Sequence, residues 1–336
     1  MSQARRSLES TLTHAWLRRG VLAVLLWPLS LLFRIMVALR RTLYATRIFS
    51  STRLPVPVIV VGNIFVGGTG KTPFVIWLAN TLRDAGFHPG VLSRGYGSIQ
   101  RDPLFVTPCS MPKFAGDEPL LIAQRTNCPV MIGRDRVAAG RALLAIAPDT
   151  DILIMDDGLQ HYALQRDVEI LIFDQRGLGN GWMLPAGPLR EPASRHRDFT
   201  IINGEQMLLI GNMAEKIDDR SQRIPLIKLQ EVTKNTPPKL LAAAGIGNPE
   251  RFFSQLQAAG LTFEKLPLPD HFDYKNSPFN DKDADIILIT EKDAVKCRVF
   301  ESQENLGKLW VVPVTAQVDK ALAEQIVERC RGSRTA

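Results

Sequence analysis

The run Gly67-Gly68-Thr69-Gly70-Lys71-Thr72 stands between an apolar stretch, Val56 to Val61, and a segment of helical spacing that begins at Thr72. A glycine-rich turn that leaves a buried strand and enters a helix aims several backbone N–H groups and the helix dipole at one point, a geometry that holds phosphate oxygens. Lys71 adds a point charge for the β- and γ-phosphates, and the Thr72 hydroxyl adds a Mg²⁺ ligand. The pattern therefore predicts a nucleoside triphosphate site. It departs from the common phosphate-binding loop in one place, because Phe65 occupies the position where that pattern opens with glycine. The expected nucleotide-contacting segment is Phe65, Val66, Gly67, Gly68, Thr69, Gly70, Lys71 and Thr72, in a loop variant that starts at Gly62-Asn63-Ile64.

Short apolar runs alternate with helical patterns on either side of this loop. Val58 to Val61, Val91 to Ser93, Val130 to Ile132, Asp151 to Asp157 and Val168 to Phe173 read as strands. The stretches near Thr72 to Ala85, after Asp117-Glu118-Pro119, and from Arg136 to Ala145 read as helices. This alternation predicts an α/β fold of the P-loop NTPase kind, a doubly wound and mostly parallel sheet with its ligands at the carboxyl ends of the strands. The rhythm weakens from Gly204 to Pro238 and resumes beyond Pro237-Pro238. Three parts are expected: an arm at 1–53, a core domain at 54–236, and a smaller α/β domain at 237–336 that closes the cleft.

The net charge of +7 invites a nucleic-acid reading until its location is considered. Residues 1–53 hold nine arginines and a single acid, Glu9, so the arm carries +8 and the rest of the chain −1. A near-neutral body excludes a broad nucleic-acid surface. A basic, apolar arm instead suits an anionic membrane surface. Its uncharged core, Val21 to Phe33, is thirteen residues long, whereas a spanning helix needs about 20. The arm is thus expected to lie on the cytoplasmic leaflet, with Trp27 and the flanking arginines at the interface, or else to pack on the protein itself. The four cysteines, Cys109, Cys128, Cys297 and Cys330, show neither disulfide-like nor zinc-like spacing, which fits a reducing compartment.

Several polar residues fall at the expected strand ends. Asp156-Asp157 closes a buried run, where a P-loop protein places the acid that holds Mg²⁺; Gln160 and His161 follow closely. Arg94 sits in the loop Arg94-Gly95-Tyr96-Gly97. Asp117-Glu118 opens a helix, where a carboxylate can serve the helix dipole or chemistry. His271 lies on a loop between acids, either solvated or, if it met Asp117, part of a pair able to take a proton from a hydroxyl. Arg190-Glu191 forms an ion pair of its own or contacts phosphate and sugar. Thr290-Glu291-Lys292-Asp293 lacks the residue that a guanine-reading loop places between its Lys and Asp.

Taken together, Gly-Asn-x₃-Gly-Gly-x-Gly-Lys-Thr-Pro at 62–73, Ser-Arg-Gly-Tyr-Gly at 93–97, Gly-Asp-Glu-Pro at 116–119, Asp-Asp-Gly-Leu-Gln-His at 156–161, Gly-Pro-Leu-Arg-Glu-Pro at 187–192, Asp-His-Phe at 270–272 and Thr-Glu-Lys-Asp-Ala-Val-Lys at 290–296 resemble the tetraacyldisaccharide 4'-kinases of lipid A biosynthesis. The likeness runs over nearly the whole chain. It implies ATP-dependent phosphorylation of the 4'-hydroxyl of a tetraacylated glucosamine disaccharide 1-phosphate at the cytoplasmic face of a Gram-negative inner membrane. It also implies a base dyad of Asp117 and His271, with Lys71 and Thr72 on phosphate and Mg²⁺. Glu118 and Asp156 become candidate metal ligands, and Arg94, Asp157, Gln160, His161, Arg190 and Glu191 further cleft residues. The absent first glycine becomes a trait of the family. The competing reading, a membrane-associated nucleotide switch acting on protein partners, shares the loop and the arm but has no need of Asp117 and His271.

Overall fold

The computed structural model describes residues 15–100, 102–231, 238–300 and 302–334. Arg5, Arg6 and Glu9 of the arm, and Pro237 of the expected boundary, lie outside them. In chain order the principal elements are α1 (Val21–Ala45), β1 (Val58–Gly62), α2 (Lys71–Asp84), β2 (Pro89–Ser93), β3 (Leu104–Val106), α3 (Pro112–Ala115), α4 (Asp117–Thr126), β4 (Val130–Ile132), α5 (Arg136–Ile146), β5 (Ile152–Asp156), β6 (Val168–Phe173) and β7 (Phe199–Ile202). There follow β8 (Met207–Ile210), β9 (Met213–Lys216), β10 (Arg223–Pro225), β11 (Leu240–Ala244), α6 (Pro249–Ala258), β12 (Glu264–Pro267), β13 (Ile286–Thr290), α7 (Glu291–Phe300), α8 (Gln303–Lys308), β14 (Leu309–Val312), β15 (Thr315–Val318) and α9 (Lys320–Arg334).

The first sheet has the order β3-β4-β2-β5-β1-β6-β7 and is parallel except for the edge strand β3. Its interior strand β1 is buried on both sides: Ile59 and Val61 join Phe74, Leu78 and Leu120 in one core, while Val58 and Val60 join Leu92, Leu143 and Leu159 in the other. That two-sided burial is why the strands read as unbroken apolar runs instead of alternating ones. The strand order reverses beside β1, and the loop after β1 opens there, at a switch point where such sheets bind ligands.

The second sheet has the order β10-β9-β14-β13-β11-β12. Its membership differs from the boundary expected at residue 237, because β9 and β10, both earlier in the chain, add antiparallel strands to its edge. These two strands, of four and three residues, lie where helical and strand periodicity is weakest. The chain's end also crosses back. In α9, Ile326 and Cys330 are fully buried in the first core, and Arg329 pairs with Asp198. β8 and β15 form a two-stranded antiparallel ribbon that packs Met207 and Ala316 into the first core.

The arm helix is longer than its uncharged core suggested. α1 runs for 25 residues straight through Arg34, with a mean hydropathy of 2.2 over its most apolar window. Length and composition therefore do not exclude spanning, a correction to the thirteen-residue estimate. One stripe of α1 nevertheless docks on the body along the helix: Ser30 Oγ donates to the Met183 carbonyl at 2.7 Å, Trp27 meets Trp182, Phe33 and Val37 pack against the second core, and Tyr44 meets Tyr162. The opposite stripe, including Val21, Leu25, Leu32 and Ile35, is exposed.

Candidate active site

Gly70, at φ +97°, caps α2 and delivers Lys71 and Thr72 into the first helical turn. A side chain there would be strained by that backbone and would press on Asn203 and Leu209. The loop ahead is held from two directions. Asn63, fully buried, donates to the carbonyls of Phe65 and Gly67, and Val66 N donates to the Pro188 carbonyl at 3.0 Å. Phe65 is buried under the Arg176 guanidinium, 4.3 Å from its ring, so the residue in place of the first glycine is a packing element of the loop. The Thr69 hydroxyl is buried with no hydrogen-bond partner.

Lys71 Nζ donates to Asn63 Oδ1 at 3.0 Å and lies 3.6 Å from Asp157. Arg190 pairs with the same Asp157 at 3.0 Å and also donates to Asn63. Burial would raise the Asp157 carboxyl, but the Lys71 and Arg190 charges outweigh it and hold the group below its ordinary value. Asp156, at the end of β5, accepts from Ser93 Oγ at 3.2 Å through Oδ2, and its Oδ1 is buried and unpartnered. Burial, then the charges of Glu118 and Asp157, push its carboxyl up to about 7.

Among the described residues no three His, Cys, Asp or Glu side chains gather as a ready metal cluster. A P-loop magnesium site does not need one, since it takes one hydroxyl, one acid and phosphate oxygens. The orphaned Asp156 oxygen and the Thr72 hydroxyl fit that donor set. Glu118 is instead bound by Lys292, whose charge holds the Glu118 carboxyl low.

Asp117 is the first residue of α4. Gly116 before it, at φ +83°, lets the chain turn tightly; a Cβ there would meet the Tyr96 carbonyl at 2.8 Å. His271, on the loop after β12, accepts φ +56° and anchors its backbone N–H on the Gly245 carbonyl at 3.1 Å. The two side chains meet: His271 Nδ1 lies 2.9 Å from Asp117 Oδ2. That hydrogen bond is the main reason the His271 imidazole is raised above its ordinary value, against burial, which lowers it. Burial would raise Asp117, and the hydrogen bonds and charges of His271 and Lys296 reverse the shift. The charges of Lys71 and Asp157 act on Glu118, the neighbour of Asp117.

The other expected cleft residues divide. Arg190 and Asp157 join Lys71. Glu191 turns away into a buried pairing with Arg195, which also binds Glu169 at 2.8 Å, and Gln160 donates to Glu191 at 3.2 Å. His161 is half-buried, its Nε2 without a hydrogen-bond partner; burial and then the Arg136 charge lower it to about 4. Arg94 is exposed and acts electrostatically on Arg136. Three further residues near the site stand within quoted motifs without a role of their own. Tyr96 stacks 5.5 Å from the His271 ring, and Asn63 and Lys296 hold Lys71 and Asp117. For the lysine a signal was present: Lys292 and Lys296 are four apart on a helix and hence share a face.

Comparison with known proteins decides the family. The family model described as tetraacyldisaccharide-1-P 4'-kinase matches residues 22–331. The chain belongs to that family. It is 57% identical over 343 residues to the tetraacyldisaccharide 4'-kinase of Janthinobacterium sp. (strain Marseille), covering 99% of each chain. With the corresponding enzyme of Herminiimonas arsenicoxydans it shares 57% over 346 residues, covering 98% of this chain and 97% of the relative. The "apo" form of LpxK from Aquifex aeolicus in complex with ATP superimposes with a TM-score of 0.79 at 29% identity, over 93% of this chain and 99% of that one. This tetraacyldisaccharide 4'-kinase family member thus has the expected α/β fold, and it is a kinase.

Proposed function

We propose that this family member transfers the γ-phosphoryl group of ATP to the 4'-hydroxyl of a tetraacyldisaccharide 1-phosphate, with Asp117 and His271 receiving the hydroxyl proton. The observation that carries the reading is the 2.9 Å hydrogen bond between Asp117 Oδ2 and His271 Nδ1. With Nδ1 engaged by Asp117, Nε2, which lies 4.0 Å from Asp270 Oδ1, is the nitrogen that in the neutral ring accepts a proton from a hydroxyl placed within hydrogen-bond reach. The loop amides from Phe65 to Thr72 cradle the phosphates. Lys71 leaves Asp157 for the β- and γ-phosphates, and Arg190 is placed to follow. Thr72 and Asp156 are the residues that would hold Mg²⁺; bound there, the ion offsets charge on the phosphate oxygens. A nucleotide switch gives no reason for a His–Asp pair.

The lipid substrate carries four acyl chains, and leaving the bilayer costs about 0.8 kcal/mol per CH₂. The enzyme therefore works at the membrane. A helix docked on the body along one stripe with its other stripe apolar and bare suits insertion in the plane of the interface, on the cytoplasmic leaflet where the arginines meet anionic lipid.

The test is incubation of the purified protein with γ-labelled ATP, Mg²⁺ and a tetraacyldisaccharide 1-phosphate in detergent micelles. Label on the lipid is expected. An intact, ATP-binding protein that leaves the lipid unlabelled would sink the proposal.

A further inference from the structure

Asp117 Oδ2 has two donors. Besides His271 Nδ1 at 2.9 Å, it accepts from Lys296 Nζ at 3.1 Å. Lys296 projects from α7 and is 5% exposed, and its ammonium also lies 5.7 Å above the Tyr274 ring. Taking an ammonium out of water costs several kcal/mol, and a hydrophobic side chain of similar length would fill the same space more cheaply. Stability alone therefore does not explain a lysine here.

The surrounding contacts show what the charge is set against. α7 meets α4 through three pairs, Glu291 with Arg125, Lys292 with Glu118 and Lys296 with Asp117. The first two align the helices; the third reaches the dyad. On the same helix Asp293 accepts from the Gly245 amide at 3.1 Å, and the Gly245 carbonyl receives the His271 backbone N–H. One helix thus holds both halves, His271 through Gly245 and Asp117 through Lys296.

We infer that Lys296 is a positioning residue for the phosphoryl transfer, clamping the Asp117 carboxylate so that the oxygen it binds is the one presented to His271 Nδ1. The inference rests on the lipid-kinase reading for its activity readout, but its geometry is independent of the acceptor. Removing the ammonium frees the carboxylate to rotate about its side-chain bonds, and the imidazole loses a fixed partner. The charged groups acting on His271 are Asp117, Asp270 and Lys292. Lys296 acts on it by sharing the Asp117 oxygen.

The experiment compares Lys296→Met, Asp117→Asn and the double variant, with steady-state turnover on micellar lipid and ATP and an NMR titration of the His271 ring, assigned through His271→Ala. Lys296→Met is expected to lower kcat at least tenfold while KM for ATP stays within about twofold, and to lower the His271 titration midpoint, because the Asp117 hydrogen bond that raises it is no longer held in place. In the Asp117→Asn background the same substitution should change kcat less than threefold. Equal losses in the two backgrounds, or an unmoved His271 titration, would overturn the role. If Lys296→Met does not fold, Lys296→Gln, uncharged and one atom shorter, replaces it; wild-type turnover and titration in that variant would refute the clamp. Should the wild-type protein label no lipid, the kinase reading fails, while the titration still decides whether Lys296 acts on the dyad.

Discussion

His271 is a loop histidine between two acids, and by sequence alone it could have been solvated. Its hydrogen bond with Asp117 gives it a direction, with Nδ1 toward that carboxylate and Nε2 4.0 Å from Asp270 Oδ1. Because that bond favours the imidazolium, the folded-state ionisation lies above the ordinary 6.5. The base is the neutral ring, so kcat/KM should fall on the acid side of a midpoint above 6.5, and Asp117→Asn should carry that limb downward. The sign for stability is the reverse. A raised histidine contributes stability that is complete below its unfolded pKa and lost as pH rises through the folded one. The melting-temperature advantage of wild type over His271→Ala should therefore shrink between mildly acidic and mildly alkaline buffer, and an advantage that grew with pH would contradict the raised ionisation. On activity, His271→Ala and Asp117→Ala should lower kcat by about 10²–10⁴-fold, the range for a positioned acid–base group, with ATP affinity little changed by calorimetry. Lys71→Ala should do the opposite: removing a charge-assisted contact worth about 1.5–3 kcal/mol weakens ATP binding by roughly one to two orders of magnitude.

At the scale of elements, the start of α4 shows how a turn sets chemistry. Gly116 has φ +83°, and a Cβ there would sit 2.8 Å from the backbone oxygen of Tyr96, an atom that cannot swing aside. Gly116→Ala should therefore cost about 1–3 kcal/mol in thermal or urea unfolding and displace Asp117, so kcat should fall even where the protein is folded. Full stability and turnover in that variant would show the turn to be tolerant. The same scale explains what the sequence made legible. Strands β1, β2, β4, β5 and β6 are buried on both faces, so each stands out as an apolar run; the acid that closes β5 marks Asp156, the glycine-rich turn after β1 marks Lys71, and a helix start marks Asp117. Short edge strands such as β9 and β10 carry no such run, and the return of α9 to the first core depends on contacts with α2 that no local pattern records. The pairing of Glu191 with Arg195 is equally non-obvious: the side chains are four apart in a loop with no helical period, and only the folded turn faces them. Asp117 and His271, 154 residues apart, came together on the family likeness and not on spacing.

On the scale of the whole molecule, the charge distribution and α1 describe one surface. The arm's arginines give it +8 against a body of −1, and α1 presents Val21, Leu25, Leu32 and Ile35 outward while Ser30, Trp27 and Phe33 hold it to the core. The docked stripe fixes the helix relative to the active site. A membrane that takes up the outer stripe thereby sets the cleft at a constant height above the lipid headgroups, and an acceptor hydroxyl that cannot leave the bilayer must be met at that height. Burying one leucine is worth about 1.5–3 kcal/mol, so replacing two outward leucines with acids removes enough to change partitioning by more than tenfold. Leu25→Glu with Leu32→Glu should therefore abolish most cosedimentation with anionic vesicles at moderate salt, while far-UV circular dichroism and ATP affinity stay at wild-type values, since neither side chain touches the body's core. If the doubly substituted protein still pelleted fully with the vesicles, the arginines alone would hold it there, and the apolar stripe would have to be assigned another occupant.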